Sequence, residues 1–421
     1  MLRTHIEPDS RDGKVTKLKI LLVCEQPLPS SKRAGRPNYS LKYLSEWRHG
    51  LTVVCPRPGE AKPTNESQGA NFDYVDVRFE QMSISSRLKV YMAMKRKLKQ
   101  VLSRERFDVV RSINILPTYA ALAARGSSPV YAELTDFLSD LYVQFDMPLK
   151  SFVVPYLRSI ERKIARSVDY ANVETPVGKA YWSQVGLDPR KVAVIPNGVD
   201  TTHFLQGGKH RNQIRDALGM RGDKVVAYHG DFGKYDGLEY LLGAMALLSN
   251  EEKLVIIGSG PKNYERRLKR LAIQLSLENR VLFTGWIEYQ DLPSYLAVAD
   301  AYAVPIVPIT RENRANLHSR IREYLCMGKP FVVTRTEGLQ TSLRNIPIYV
   351  EDPTDVNQLR DKMKTALSIE LDPGKNETML RIAERLDWKN IVRHDERFMQ
   401  AIAEGAVEDS SYYDLKWKNW S

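Results

Sequence analysis

Short apolar, β-branched runs alternate with helix-patterned segments along nearly the whole chain, and the alternation restarts once. The first series comprises Leu18–Cys24, Leu51–Cys55, Tyr74–Val77, Phe107–Arg111, Val130–Leu134, Tyr170–Val173 and Val192–Ile195. The second comprises Lys224–Tyr228, Leu254–Ile257, Val281–Phe283, Ala301–Val304, Pro330–Val333 and Ile348–Val350. Uniformly apolar strands separated by helices can be buried only in parallel sheets covered on both faces. Two series imply two doubly wound α/β domains, whose strand ends open onto crevices at a switch in strand order. At 421 residues the chain is long enough for two such cores.

The boundaries follow from composition. Residues 1–16 are polar and read as a loose leader to the first strand, and 17–200 form the first Rossmann-like domain. A polar junction with Gly207-Gly208 spans 201–211, the second Rossmann-like domain runs over 212–385, and 386–421 make a helix and an aromatic tail expected to pack back on the first domain.

Apolar residues at 43% and charged residues at 27% are those of a globular protein. Cys24, Cys55 and Cys326 lack metal-ligand spacing, which leads us to expect a reduced, cytoplasmic protein without disulfides or metal. No run reaches the ~18 apolar residues of a spanning helix, and no cleavable leader is expected. The net charge is +11, and much of it lies at Arg87, Lys89, Lys95, Arg96, Lys97, Lys99, Arg104 and Arg106. That segment reads as the solvated face of a packed helix, with peripheral contact to the inner membrane face as the alternative. No finger, helix-turn-helix or aromatic RNA-binding signature accompanies the charge, so no nucleic-acid partner is expected.

Three phrases carry chemistry: Val192–Asp200 with Pro196-Asn197-Gly198, the loop His229–Gly237, and Leu254–Pro261 with Gly258-Ser259-Gly260. Gly230 and Gly233 stand between a strand and a helix, where exposed N–H groups suit phosphate oxygens, and Lys234 adds charge. A plain strand-to-helix connection needing glycine fits that loop equally well.

In this order, with Glu161–Asp169, Phe283-Thr284-Gly285, Ala299-Asp300 and Ser319–Pro330, the phrases resemble the retaining GT-B glycosyltransferases numbered family four. The resemblance implies two lobes facing one cleft, a nucleotide sugar (UDP- or GDP-linked) held mainly by the second lobe, and no cofactor or metal. It implies hexosyl-like transfer to a glycan or lipid-linked acceptor with retained configuration. Ser319 and Arg320 match the diphosphate-binding pair, and Glu323 matches the ribose-binding carboxylate. A departing diphosphate gains negative charge, so fixed cations there lower the barrier.

The sequence departs from the family at three places. Ala315 stands where the first glutamate of the paired-glutamate motif is expected. Asp231 and Asp236 fill positions that commonly carry an arginine and a lysine, with Lys234 as the candidate substitute, and Thr135 replaces a sugar-contacting histidine. Asp136 is the candidate catalytic contact to donor sugar or acceptor, although a helix-capping aspartate fits as well. Lys32, Arg33, Gly35 and Arg36 form a basic loop suited to a phosphate-bearing acceptor, a solvated loop being the plainer reading. Two other functions stay open: a scaffold that binds without transfer, and a nucleotide-sugar epimerase or hydrolase.

Overall fold

The computed structural model describes residues 16–29, 35–58, 69–76, 84–144, 150–369 and 373–415. The first sheet is built from β1 (Lys19–Cys24), β2 (Gly50–Pro56), β3 (Ala70–Val75), β4 (Val109–Ile113), β5 (Val130–Glu133), β6 (Tyr170–Val173) and β7 (Val192–Val194). The second holds β8 (Lys224–His229), β9 (Glu252–Ile257), β10 (Val281–Gly285), β11 (Ala301–Val304), β12 (Phe331–Thr334) and β13 (Ile348–Val350). Their orders are β3-β2-β1-β4-β5-β6-β7 and β10-β9-β8-β11-β12-β13, and every pairing is parallel. Each sheet therefore reverses direction once, between β1 and β4 and between β8 and β11, and a crevice opens at the carboxyl ends of those strands.

The central strands are buried on both faces. Ile20, Leu21, Leu22 and Val23 of β1 and Val225, Val226 and Ala227 of β8 have no exposed surface. At ~25 cal/mol per Å² of apolar area, continuous burial of this kind is the main favourable term for each lobe. Local signals set the helix ends. Thr175 caps the Pro176–Val185 helix by accepting from the Gly178 N–H, Pro176 opens it, and left-handed Gly186 closes it.

The chain crosses between the lobes twice, and the crossings are hydrogen-bonded to each other. Val199 N donates to Leu386 O at 2.9 Å and Trp388 N to Val199 O at 3.1 Å, while Thr201 Oγ1 donates to Asp387 Oδ2 at 2.6 Å. The stretch 201–211 is not featureless: it holds a helical turn, Thr201–Phe204, and a 3₁₀ turn, Gly207–His210. Beyond the second crossing, the Trp388–Ala403 helix lies on the first lobe. Trp388 stacks on Tyr39 at 5.0 Å, His49 Nε2 meets Glu396 Oε1 at 2.7 Å, and Arg111 Nε donates to Asp395 Oδ2 at 3.1 Å.

Candidate active site between the two lobes

β8 delivers Tyr228 and His229 to the crevice of the second lobe, and the loop beyond them leads into the Leu238–Ala246 helix. Two glycines let this loop close on its surroundings. Gly237 has φ +75° and a Cβ there would lie 1.9 Å from Pro305 O; Gly230 has φ +118° and a Cβ would meet Arg320 Nη2 at 3.2 Å. No side chain fits the first position, and the second leaves room only for the guanidinium.

Arg320 reaches this loop from the first turn of the Ser319–Met327 helix. Its Nη1 donates to Asp236 Oδ1 at 3.0 Å and to the Tyr228 hydroxyl, and its Nη2 donates to Asp231 O at 3.2 Å. Asp236 in turn accepts from Tyr228 Oη at 2.9 Å and from Gly233 N at 2.8 Å. Asp236, which sequence reasoning sets against a diphosphate as a repulsive charge, is thus the counter-ion that holds Arg320. The Arg320 guanidinium is pushed up: burial alone would lower it, but the Tyr228 phenol and Asp236 favour the charged form.

One turn along the same helix, Glu323 is bonded to His229 Nε2, while His229 Nδ1 lies 3.0 Å from the Tyr324 hydroxyl. With Nε2–H donating to the carboxylate, Nδ1 accepts from Tyr324, which fixes the ring. The structure therefore gathers Gly230, Gly233, Arg320 and Glu323 at one strand-to-helix turn. Ser319 is exposed at the start of its helix. Lys234 stands outside the knot, exposed, with its ammonium 5.4 Å over the Tyr235 ring. Sequence reasoning passes over His318, the residue before Ser319. Its Nε2 is buried without a partner, and burial, with Arg320 adding, holds the ring down at about 4, so it is neutral near pH 7.

The first lobe answers with carboxylates at its strand ends. Glu25 follows β1, Glu133 ends β5 and Glu174 follows β6. Burial pushes the Asp136 carboxyl up to about 7, with Glu133, Glu174 and Glu25 adding to it. Burial also raises Glu312 well above the carboxylate range, with Asp136 as the next cause. Glu312 comes from the other lobe, on the short Arg311–Ala315 helix, so two carboxyls that repel one another face across the gap. Among the described residues no three such groups are placed to hold a metal ion.

Arg311 clamps that helix to the first lobe. Its side chain donates to Asp140 at 2.9 and 3.2 Å and to Ser139 Oγ at 2.7 Å, and its guanidinium lies 3.8 Å over the Phe137 ring. Asn316 Nδ2 donates to Thr135 O at 2.9 Å, and Thr175 Oγ1 to Ala315 O at 2.7 Å. Thr135 and Ala315, two of the departures noted above, are therefore both packed into the lobe junction by their backbone carbonyls.

The basic loop is described only in part. Lys32 and Arg33 lie outside the described residues, and Gly35 precedes the Arg36–Glu46 helix. Arg36 offers nothing to an acceptor: it is 2% exposed, pairs with Glu133 at 2.9 Å, and donates to the carbonyls of Ile195 at 3.0 Å and Pro196 at 2.7 Å. Five fixed donors suit a guanidinium to saturating buried acceptors, which its charge in the sequence does not reveal.

Comparison with known proteins agrees with this architecture. The model described as Glycosyltransferase Family 4 matches residues 40–203, and that described as Glycosyl transferases group 1 matches 223–368. A GDP-mannose-dependent alpha-(1-6)-phosphatidylinositol monomannoside mannosyltransferase of Mycolicibacterium smegmatis is 27% identical over 214 residues, 49% of this chain and 55% of that protein. The corresponding enzyme for the monoacylated acceptor from Corynebacterium glutamicum is 31% identical over 218 residues, 50% of this chain and 55% of that one. The matched region thus spans about half the length of these relatives. Among solved structures, sucrose-phosphate synthase of Thermosynechococcus elongatus aligns with TM-score 0.76 at 16% identity, covering 92% of this chain and 99% of that one. Anabaena HepE, crystallised with UDP and glucose, aligns with TM-score 0.68 at 17% identity over 91% of this chain and 100% of its own. With family models matched in order to both lobes, and a GT-B fold around one cleft, the chain belongs to family four of the glycosyltransferases.

Proposed function

We propose that this protein transfers a sugar from a nucleotide sugar to an acceptor hydroxyl with retention of configuration. The observation that carries the reading is the meeting of Arg320, the Gly230–Gly237 loop and Glu323 at the mouth of β8. Arg320 and the amides around Gly230 receive the diphosphate, exchanging Asp236 for phosphate oxygens as the principal partner. Glu323, held by His229, takes the ribose hydroxyls. Binding of UDP by the structural neighbour HepE, and the use of GDP-mannose by the mycobacterial relatives, support a nucleoside diphosphate in this position.

Cleavage of the anomeric bond sends electrons to the β-phosphate oxygen, and Arg320 stabilises the charge that accumulates there. The same phosphate oxygen accepts the acceptor proton on the face it vacates, so the new bond forms where the old one broke. Asp136, its carboxyl pushed up to about 7 by burial, and Glu312, raised by burial and by Asp136, offer donor and acceptor atoms to sugar hydroxyls. No protein nucleophile is required. The test is a thermal-shift and calorimetric screen of UDP, GDP and their sugars, followed by proton NMR of the product. An inverted anomeric centre would refute retention, and the absence of any nucleotide binding would refute the donor site.

A further inference from the structure

The turn at the mouth of β8 is short of positive charge for a diphosphate. Arg320 is paired with Asp236 at 3.0 Å, so its charge is already matched. Lys234 is exposed, with its ammonium over the Tyr235 ring. Arg322, farther along the same helix, is 4% exposed and directs Nη1 to Glu174 at 3.5 Å and to the Leu317 carbonyl. A nucleotide sugar carries two negative charges on its diphosphate. Exchanging Asp236 for phosphate oxygens on Arg320 also leaves a carboxylate beside them without its partner. Charge of one sign in a site this enclosed is costly unless a counter-charge accompanies it.

His318 is placed to supply that counter-charge. It stands immediately before the Ser319–Met327 helix, where its carbonyl accepts from Ile321 N at 3.0 Å but its side chain caps nothing. Its Nε2 is buried and has no hydrogen-bond partner among the described residues. Such atoms are rare in folded proteins, because each forfeits its hydration without return. Burial does most to keep the ring neutral, and Arg320 and Arg322 of its own helix add to it, while Asp236 of the glycine loop acts the other way. Together they hold the ring down at about 4. A bound diphosphate reverses this balance. Its two charges outweigh the guanidinium of Arg320, and Asp236 is released to face the ring.

We infer that His318 takes up a proton when a nucleotide sugar binds and serves, beside Arg320, as the second cation against its diphosphate. This role rests on the donor site proposed above and adds a proton to its binding reaction. The proton comes from solvent to the bare ring nitrogen and returns to solvent when the diphosphate leaves. Histidine suits the task because a modest change of surroundings carries its ring between the neutral and charged forms near physiological pH. A permanent second guanidinium would instead repel Arg320 whether or not a donor was present, and a neutral amide could never match the second phosphate charge.

The test is calorimetric titration of the full chain with UDP-glucose and with GDP-mannose, whose diphosphates do not titrate between pH 5 and 8, in two buffers of different ionisation enthalpy. A group whose pKa rises on binding strengthens that binding at low pH, and the gain is lost as pH rises through the bound value. With the ring returned to the ordinary value of about 6.5 in the complex, more than about half a proton is taken up per site at pH 6, and affinity is about thirtyfold higher at pH 5 than at pH 8. His318→Asn keeps a residue suited to opening a helix. It should abolish the uptake and flatten the pH dependence, with circular dichroism and thermal unfolding unchanged. Asp136→Asn should leave the uptake in place. Nitrogen-15 NMR of the histidine-labelled wild type reads the same event without a substitution: one neutral imidazole becomes imidazolium on binding at pH 6. Binding without proton uptake, or uptake that His318→Asn leaves intact, overturns the role of His318 alone. Failure to bind either nucleotide sugar overturns the donor site, and this role with it.

Discussion

Arg320 and Asp236 face each other at 3.0 Å across the glycine loop, with the Tyr228 hydroxyl bonded to both. The cation proposed to receive a diphosphate is thus already paired with a carboxylate, which the donor must displace to reach it. Arg320→Ala should weaken nucleoside-diphosphate binding by about 1.5–3 kcal/mol, the range for a hydrogen bond to a charged group. Asp236→Asn keeps an acceptor for Tyr228 and Gly233 but removes the competing charge. It should tighten the diphosphate several-fold and steepen the salt dependence. Calorimetry on both variants checks this, and weaker binding by Asp236→Asn would make Asp236 a positioning group rather than a competitor.

Glu323 gives a separable outcome. Glu323→Gln should lower affinity for the complete nucleotide by about 1–2 kcal/mol, because a charged acceptor of ribose hydroxyls is lost. It should leave inorganic pyrophosphate binding unchanged. His229→Ala should act in the same direction, since Glu323 would lose the ring that orients it. Equal losses for nucleotide and pyrophosphate in a competition titration would remove Glu323 from ribose recognition.

The central strands are legible as apolar runs because strands covered on both faces must be apolar throughout, whereas the half-exposed edge strand β3, Ala70–Val75, begins four residues before the expected Tyr74. The glycine loop is legible as a strand-to-helix turn because backbone geometry demands glycine there, whereas Ser319–Pro330 is legible only through its resemblance to the family. What sequence leaves hidden is direction and pairing. Arg36 reads as a loop cation, yet it turns inward to Glu133, nearly a hundred positions away in the chain. Asp231 and Asp236 read as an unfavourable pair, but only the fold shows Asp236 spent on Arg320. Glu312 carries no motif, and it matters only because its short helix is carried across to Asp136 from the other lobe. Charge can be read from a sequence; the partner of a charge cannot. A signal for the acidic wall did exist, since Glu25, Glu133 and Glu174 all sit at carboxyl ends of strands.

Asp136 links the site to pH. Its folded value of about 7 lies above the ordinary 3.8, so folding takes up a proton between these values. The stability it contributes is fully present below about pH 4 and is lost as pH rises through 7. Above that point the folded state holds an extra buried charge near Glu133 and Glu174. Asp136→Asn should therefore stabilise the protein at pH 8 by on the order of 2 kcal/mol, discounted for its partial exposure and its coupling to Glu312, and change little at pH 4. Thermal unfolding at the two pH values measures this, and equal shifts at both would mean that Asp136 is not the titrating group.

Arg311 ties the second lobe to the first across the cleft. Its guanidinium meets Asp140 at 2.9 Å and Glu161 at 3.4 Å, and Glu161 is 1% exposed. Removing one partner of a buried pair leaves an uncompensated charge, so Arg311→Ala should cost about 2–4 kcal/mol of lobe-to-lobe association, with Arg311's own partial exposure keeping it below the fully buried range. Opening the cleft lets water reach Asp140 and Glu161, which relieves that cost without unfolding either lobe. The expected signature is a larger radius of gyration in solution scattering, with nearly unchanged helical content. Donor binding confined to the second lobe should survive, while transfer to an acceptor, which needs both lobes closed, should fall by two orders of magnitude or more. An unchanged radius together with full transfer would show that the clamp is not what closes the cleft.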